Sequence, residues 1–303
     1  MKLNAMLRFL QLFCLNAVFY PLLVLFSLLA VPTLTLFIAV QAPFVGHRRA
    51  MRLFRRCIRW YGYVVIYILP WPWVRVRYEE HSLECGGLTP LSGGPAGRAA
   101  GLDPVLTCGT QDGASSRAAE KRCQATALQK EGSGACIVIC NHRSSSDPFL
   151  MGALPLEEAV QIVNTWPFHL PLWGPMAKWA GYLSVKAMPP EEFFTRGSEL
   201  LKQGVSLIAF PEGTRARTLE VGPFHGTLFR LALETKVPIV PVCISGNERI
   251  PPRGTLWLRP GRVVLRQLPT LTWETYKDLT AFQLKNRVRD MIARELATME
   301  GWA

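Results

Sequence analysis

The chain has 303 residues, with 34 Lys and Arg against 22 Asp and Glu and a formal net charge of +12. Hydrophobic residues make up 49% and charged residues 18%, against about 25% charged in an average soluble domain, so a disordered, collagen-like or disulfide-knotted chain is excluded and a wholly soluble enzyme is disfavoured. The eight cysteines form no C-x-x-C pair and no Cys/His cluster at zinc spacing, which reads as reduced thiols and no structural metal.

Residues 1–80 hold ten Lys and Arg against Glu79 and Glu80, so eight of the twelve excess positive charges lie in this first quarter. Basic charge beside a long apolar run fits an anionic lipid surface; a nucleic-acid partner would need a reading element that the sequence lacks. No charged residue occurs among the 38 positions from Phe9 to Gly46. As continuous helix that stretch would reach about 57 Å, nearly twice a bilayer core. Pro21, Pro32 and Pro43 argue against one straight helix, and basic flanks on both sides put both ends on the cytosolic face. The expectation is therefore a hairpin or a re-entrant pair of half-helices. A cleaved signal peptide fits less well, because the run is too long and ends without a small-x-small site.

From His47 to Tyr61 the apolar residues Ala50, Met51, Leu53, Phe54, Cys57, Ile58 and Trp60 recur at helical spacing, with six arginines on the other face. This predicts a helix lying in the headgroup layer, followed by Tyr61, Tyr63, Tyr67, Trp71 and Trp73 as an aromatic belt. Residues 1–73 are read as a membrane-anchoring helical region and residues 74–303 as one α/β domain. Val74 to Tyr78 alternates as a half-buried strand. Residues 83–134 lose all apolar periodicity, which predicts a disordered surface insertion.

From Ala135 onward strands and helices alternate. Strands are expected at Ala135–Cys140, Ala159–Val163, Gly181–Val185, Val205–Phe210, Pro238–Ile244 and Arg262–Arg266. Helices are expected at Phe149–Leu154, Pro175–Ala180, Glu191–Gln203, Thr227–Thr235 and Leu279–Thr298. Such alternation argues a sheet covered on both faces by helices, with its site at the carboxyl ends of the strands. At the end of the first of these strands stands Asn141-His142-Arg143-Ser144-Ser145-Ser146-Asp147-Pro148. The loop is long enough to fold back, so Asp147 can accept from the His142 imidazole, hold one tautomer and stabilise the imidazolium. Asp147-Pro148 is equally a helix-start signal, so this pair alone carries little. Phe210-Pro211-Glu212-Gly213-Thr214-Arg215 follows another apolar strand, and its tight turn presents Glu212, Thr214 and Arg215 at the sheet edge. An Arg held there offers a planar fork for two phosphate oxygens. His47, His81 and His169 have no motif around them and read as structural.

At these residues the sequence resembles the glycerolipid acyltransferases typified by 1-acylglycerol-3-phosphate acyltransferase. Asn141-His142-x4-Asp147 looks like the first block of that family and Phe210–Arg215 like its third. Gly181-Tyr182-Leu183-Ser184-Val185-Lys186 is similar to the second block, and Val237-Pro238-Ile239-Val240-Pro241-Val242 to the fourth. Lys186 stands where the second block usually ends in Arg, and His225 where many members carry Lys.

The resemblance implies a mixed sheet flanked by helices and transfer of a fatty acyl group from acyl-CoA or acyl carrier protein to the free hydroxyl of a lysophospholipid. The acceptor it implies first is 1-acylglycerol-3-phosphate, giving phosphatidic acid. It further implies His142 as general base with Asp147 orienting it, and Arg215 assisted by Lys186 on the acceptor phosphate. Glu212, Gly213 and Thr214 would shape that pocket, and no metal or cofactor is needed. The partners are the acyl donor, the lysophospholipid and membrane lipids, not nucleic acid, and the catalytic domain sits on the cytoplasmic side of the membrane. The alternatives are a phospholipid-dependent transacylase, an acyltransferase for another lysolipid, or a non-catalytic lipid-binding membrane protein.

Overall fold

The computed structural model describes residues 2–80, 134–152, 154–216 and 218–301. The insertion expected at 83–134, Gly134 apart, and His81 fall outside the described residues. The chain begins with α1 (Lys2–Val45) and α2 (His47–Tyr63), which runs into a five-residue π-helical turn at Val64–Ile68. Then come β1 (Val74–Glu80), β2 (Ile137–Cys140), α3 (Asp147–Gly152), β3 (Ala159–Ile162), a 3₁₀ turn at Trp166–His169, α4 (Trp173–Trp179) and α5 (Pro190–Lys202). β4 (Ser206–Ala209), α6 (Thr227–Thr235), β5 (Ile239–Ser245), β6 (Gly261–Gln267), α7 (Trp273–Tyr276) and α8 (Ala281–Glu300) complete the described chain.

Six strands form one mixed sheet in the order β1-β6-β5-β2-β4-β3. All neighbouring pairs are parallel except β5 with β6. The carboxyl ends of β2, β3, β4 and β5 therefore share one end of the sheet with the amino ends of β1 and β6. β2 shows why the sheet is covered on both faces. Ile137 and Ile139 enter one hydrophobic cluster with Leu207, Phe193 and Phe229, while Val138 and Cys140 enter another with Leu15, Phe19 and Val242. All four β2 residues are buried, as a central strand between two helical layers requires. α5, α6 and α8 cover the first face. α8 opens with a capping box between Thr280 and Gln283 and lays the stripe Leu284, Val288, Ile292 and Leu296 on the sheet. α1, α2, α3 and α4 lie on the second side.

Three expectations are corrected. The apolar N-terminus is one helix of 44 residues, not a hairpin, and it contains Pro21, Pro32 and Pro43. Each proline removes a single backbone donor, and lateral packing of Leu15, Phe19, Ser27, Val31 and Ile38 holds the helix on both sides of Pro21 and Pro32. The arginines of α2 do not all face outward. Arg52 Nε and Arg55 Nη1 bond Glu158 at 2.5 and 2.9 Å, Arg55 Nε donates to Ala180 O at 3.1 Å, and Arg59 bonds Leu156 O. Phe54, only 1% exposed, seats the same helix. α2 is thus docked on the domain, with Arg48, Arg49 and Arg56, and the outer part of Arg52, left on the surface. Gly181–Val185 is not a strand but a single bridge between Leu183 and Ile162. The chain turns back at once, with Met188 N donating to Ser184 O at 3.2 Å and Ala187 N to Ser184 Oγ at 3.3 Å, so no ladder can extend.

Candidate active site

Three adjacent strands, β5, β2 and β4, deliver side chains to one end of the sheet. β2 ends at Cys140, and the Asn141 side chain then bonds β5 twice, donating to Ile244 O at 2.9 Å and accepting from Ile244 N at 2.8 Å. The next residue is His142. Its Nδ1 lies 2.8 Å from Asp147 Oδ2, and because a carboxylate oxygen accepts, the hydrogen of the neutral imidazole belongs on Nδ1, which leaves Nε2 as the acceptor nitrogen of that tautomer. The His142 side chain retains 18% exposure while that of Asp147 has none.

A buried carboxyl group must be met by donors. Asp147 Oδ2 also accepts from Arg143 N at 2.7 Å and Ser144 N at 2.8 Å, and Oδ1 accepts from Asn247 Nδ2. Asp147 therefore commits its oxygens to residues 142–144 and to Asn247 just after β5, rather than capping α3 as the helix-start reading has it. Asn247 in turn accepts from Ser146 Oγ at 3.0 Å. It reaches this position because Gly246, at φ +84, turns the chain sharply after β5. A Cβ on Gly246 would stand 2.1 Å from Arg262 O, so the turn needs glycine.

The β4 side supplies Phe210 and Glu212. The Phe210 ring centroid lies 4.6 Å from that of His142. Glu212 is buried, with Oε1 accepting from His142 N at 2.8 Å and Oε2 from Gly222 N at 3.0 Å. Burial pushes its carboxyl above the ordinary value, and those two backbone N–H groups oppose the shift. Gly213 at φ +68 sits against the His225 ring, which a Cβ would approach to 3.1 Å. Arg143 Nη1 pairs with Glu300 and Nη2 bonds Leu219 O, so its buried guanidinium ties the His142 loop to the end of α8.

Of the residues singled out in the sequence, His142, Asp147, Glu212 and Gly213 thus converge. Thr214 is exposed and Arg215 half-buried on the same turn, and the Arg215 guanidinium has no hydrogen bond or ion pair among the described residues. Lys186 is exposed. It follows the Leu183 bridge beside β3, so it lies at the same end of the sheet but about three strand spacings, roughly 14 Å, from β2. No hydrogen bond or ion pair joins it to the His142 cluster. Asn247 escaped the sequence reading. Its one signal is Gly246-Asn247 directly after an apolar strand, the position that Asn141-His142 holds after β2. No group of three or more His, Cys, Asp or Glu suited to a metal occurs among the described residues.

Behind the loop lies an apolar cavity of about 430 Å³ between the sheet and helices α1, α2 and α4. Phe19, Tyr61, Phe149 and Trp173 line it, and Ser145, Ser146 and Asn247 bring it to the back of the His142 loop. Among the described residues, Phe9–Val45 of α1 is the one helical stretch long and apolar enough to cross a membrane, with mean hydropathy 2.5.

Residues 120–245 match the family model described as Acyltransferase. The chain is 33% identical to the chloroplastic 1-acyl-sn-glycerol-3-phosphate acyltransferase BAT2 of Brassica napus over 40% of this chain and 36% of that protein. It is 31% identical to the 1-acyl-sn-glycerol-3-phosphate acyltransferase of Cocos nucifera over 46% of this chain and 48% of the other. The matched region thus spans less than half the length of these two relatives. A longer match, to the enzyme of the same name from Limnanthes douglasii, is 24% identical over 78% of this chain and 76% of that one. The crystal structure of the 1-acyl-sn-glycerophosphate acyltransferase PlsC from Thermotoga maritima superposes with a TM-score of 0.65 at 18% identity, covering 97% of this chain and 98% of that one.

Proposed function

We propose, from the match of residues 120–245 to the Acyltransferase family model, that the chain transfers a fatty acyl group from a thioester, acyl-CoA or acyl carrier protein, to the hydroxyl of a lysophospholipid. The acceptor proposed is 1-acylglycerol-3-phosphate, the substrate class in the names of the relatives. The observation that carries the reading is the His142–Asp147 pair at 2.8 Å, with every oxygen of the acid engaged. An imidazole held in that tautomer has Nε2 available as a base. It takes the acceptor hydroxyl proton as the oxygen attacks the thioester carbonyl carbon. The tetrahedral intermediate then breaks its C–S bond, and the imidazolium returns the proton to the departing thiolate, leaving an ester and a free thiol. A positioned base of this kind contributes about 10²–10⁴-fold.

Arg215, with Lys186 further along the same sheet end, serves the acceptor phosphate, and Glu212 and Gly213 hold the turn that presents Arg215. The 430 Å³ apolar cavity takes an acyl chain and brings it up to the His142 loop. The bilayer attachment follows from α1. The helix is docked over residues 15–38, about 35 Å of its length. It cannot cross a core of about 30 Å with a folded domain pressed along it. It lies instead against one face of the membrane, the cytoplasmic one by its basic flanks, with Phe9, Phe13, Leu22, Leu25, Leu29 and Leu36 exposed to lipid.

The test is His142→Ala in the detergent-purified chain, assayed with lysophosphatidic acid and with a zwitterionic lysolipid against both thioester donors. Free thiol released in step with product, and a fall in turnover of about 10²–10⁴-fold in a variant whose circular dichroism shows the native fold, is the expected result. Near-normal turnover without the imidazole removes the mechanism.

A further inference from the structure

Beyond Asn247, the loop between β5 and β6 has no part in the proton transfer above, yet it is built as a bridge. At one end, Leu258 is bonded twice to Asn16 of α1, donating N–H to Oδ1 at 2.8 Å and accepting from Nδ2 at 3.0 Å. Both members of this pair are buried. At the other end, Arg253 Nη1 donates to Arg215 O at 2.9 Å and Ala216 O at 3.1 Å, so the loop also grips the turn that carries Arg215. Between these anchors Leu256 is 75% and Trp257 54% exposed, with Leu256 O accepting from the Tyr20 hydroxyl of α1. Beside them, Phe13 and Ala17 of α1 complete an open apolar groove. Arg249, Arg253 and Arg259 of this loop are all exposed; Arg249 faces Glu248 at 4.0 Å, while Arg253 and Arg259 have no acidic partner among the described residues.

We propose that this loop is a second membrane-contacting element, with Leu256 and Trp257 inserted at the edge of the acyl region and Arg253 and Arg259 at the phosphates of an anionic lipid leaflet. Three observations commit the surface to lipid rather than to a protein partner. The apolar tip is continuous with the outward face of α1, its Asn16 tether fixes it at the level of Phe13–Tyr20, and the two exposed charges nearest the tip, Arg253 and Arg259, are both basic. Apolar residues with Trp at the headgroup boundary and Arg just outside form the side-chain order that an interface selects. The loop also lines the apolar cavity through Ile250, Leu256 and Leu258, so a lipid leaving the leaflet at this point meets the cavity on one side and the Arg215 turn on the other. The inference rests on α1 as the bilayer-bound element, and the experiment separates the two.

Spin labels are placed by Leu256→Cys and Trp257→Cys in the cysteine-depleted full chain, bound to vesicles of phosphatidylcholine and phosphatidylglycerol. Val24→Cys on the exposed face of α1 and Phe282→Cys on the exposed face of α8 are the lipid and water references. Labels at 256 and 257 are expected to collide several-fold more with oxygen, relative to a water-soluble nickel chelate, than the label at 282. Aqueous values at 256 and 257 with a lipid value at 24 overturn the loop assignment and leave the α1 reading standing; an aqueous value at 24 overturns both. Photo-crosslinkable residues at 256 and 257, with every native cysteine retained, give the same answer if the depleted chain does not fold. Crosslinks to lipid support the insertion, and their absence beside a crosslinking position 24 refutes it.

Discussion

The loop that carries His142 and the turn that carries Arg215 leave neighbouring strands of one sheet, yet they are built in opposite ways. Around His142 the polar atoms are spoken for. Asp147 accepts from two backbone N–H groups, the imidazole and Asn247, and His142 N is itself held by Glu212. On the other side, the Arg215 guanidinium and the Lys186 ammonium have no partner among the described residues and keep solvent access. The difference matches the two roles proposed for these residues. A base must be fixed in tautomer and direction before substrate arrives, whereas a cation that receives a phosphate on a flexible lipid gains from freedom to adjust.

If that contrast is right, substitutions on the His142 side act on turnover and on stability, and those on the cation side act on KM alone. The largest effect is expected from Asp147→Asn. It removes the charge that stabilises the imidazolium and turns an amide N–H₂ toward either the Asn247 donor or the imidazole N–H. Turnover should fall about 10³–10⁴-fold, and the thermal midpoint should fall with it. Arg215→Ala comes next. Loss of a charge-assisted bond of about 1.5–3 kcal/mol should raise the KM for lysophosphatidic acid about 10–100-fold, with kcat and thermal midpoint held, as steady-state kinetics and calorimetry would show. Asn247→Ala strips Asp147 Oδ1 of its donor. The expectation is a loss of about 1–3 kcal/mol in denaturant unfolding and a fall in kcat of about tenfold, with KM unchanged. Smallest is Lys186→Arg, which restores a planar fork at an exposed site. A decrease in KM of up to about threefold, without change in melting, is expected; a change in kcat instead would blur the contrast.

Much of this arrangement was legible in the chain. The core strands announce themselves because alternating apolar residues must fill two helical layers, and β2, β4 and β5 fall within one or two residues of their expected bounds. Strand ends followed by polar residues pointed to His142, Asp147 and Glu212. What escaped depends on partners distant in sequence. Which arginines of α2 face the domain is decided by Glu158, about a hundred residues away. Asn247 reads as a loop residue until Gly246 turns it toward Asp147. The three prolines of α1 mark weak points in any isolated helix, and only the surface that α1 packs on keeps the helix continuous.

The doubly bonded Asn141 amide has one more consequence. A side-chain amide that donates to and accepts from the same residue of β5 does the job of a peptide group. The hydrogen-bonded edge of the central strand thereby continues for one residue after its main chain has left. The histidine that follows is freed from the ladder without opening a gap beside β5, so its loop begins among the buried central strands of the sheet. Aspartate, the nearest isostere, could not serve there: one of its oxygens would confront the Ile244 carbonyl, and the sheet would part where it has to stay closed.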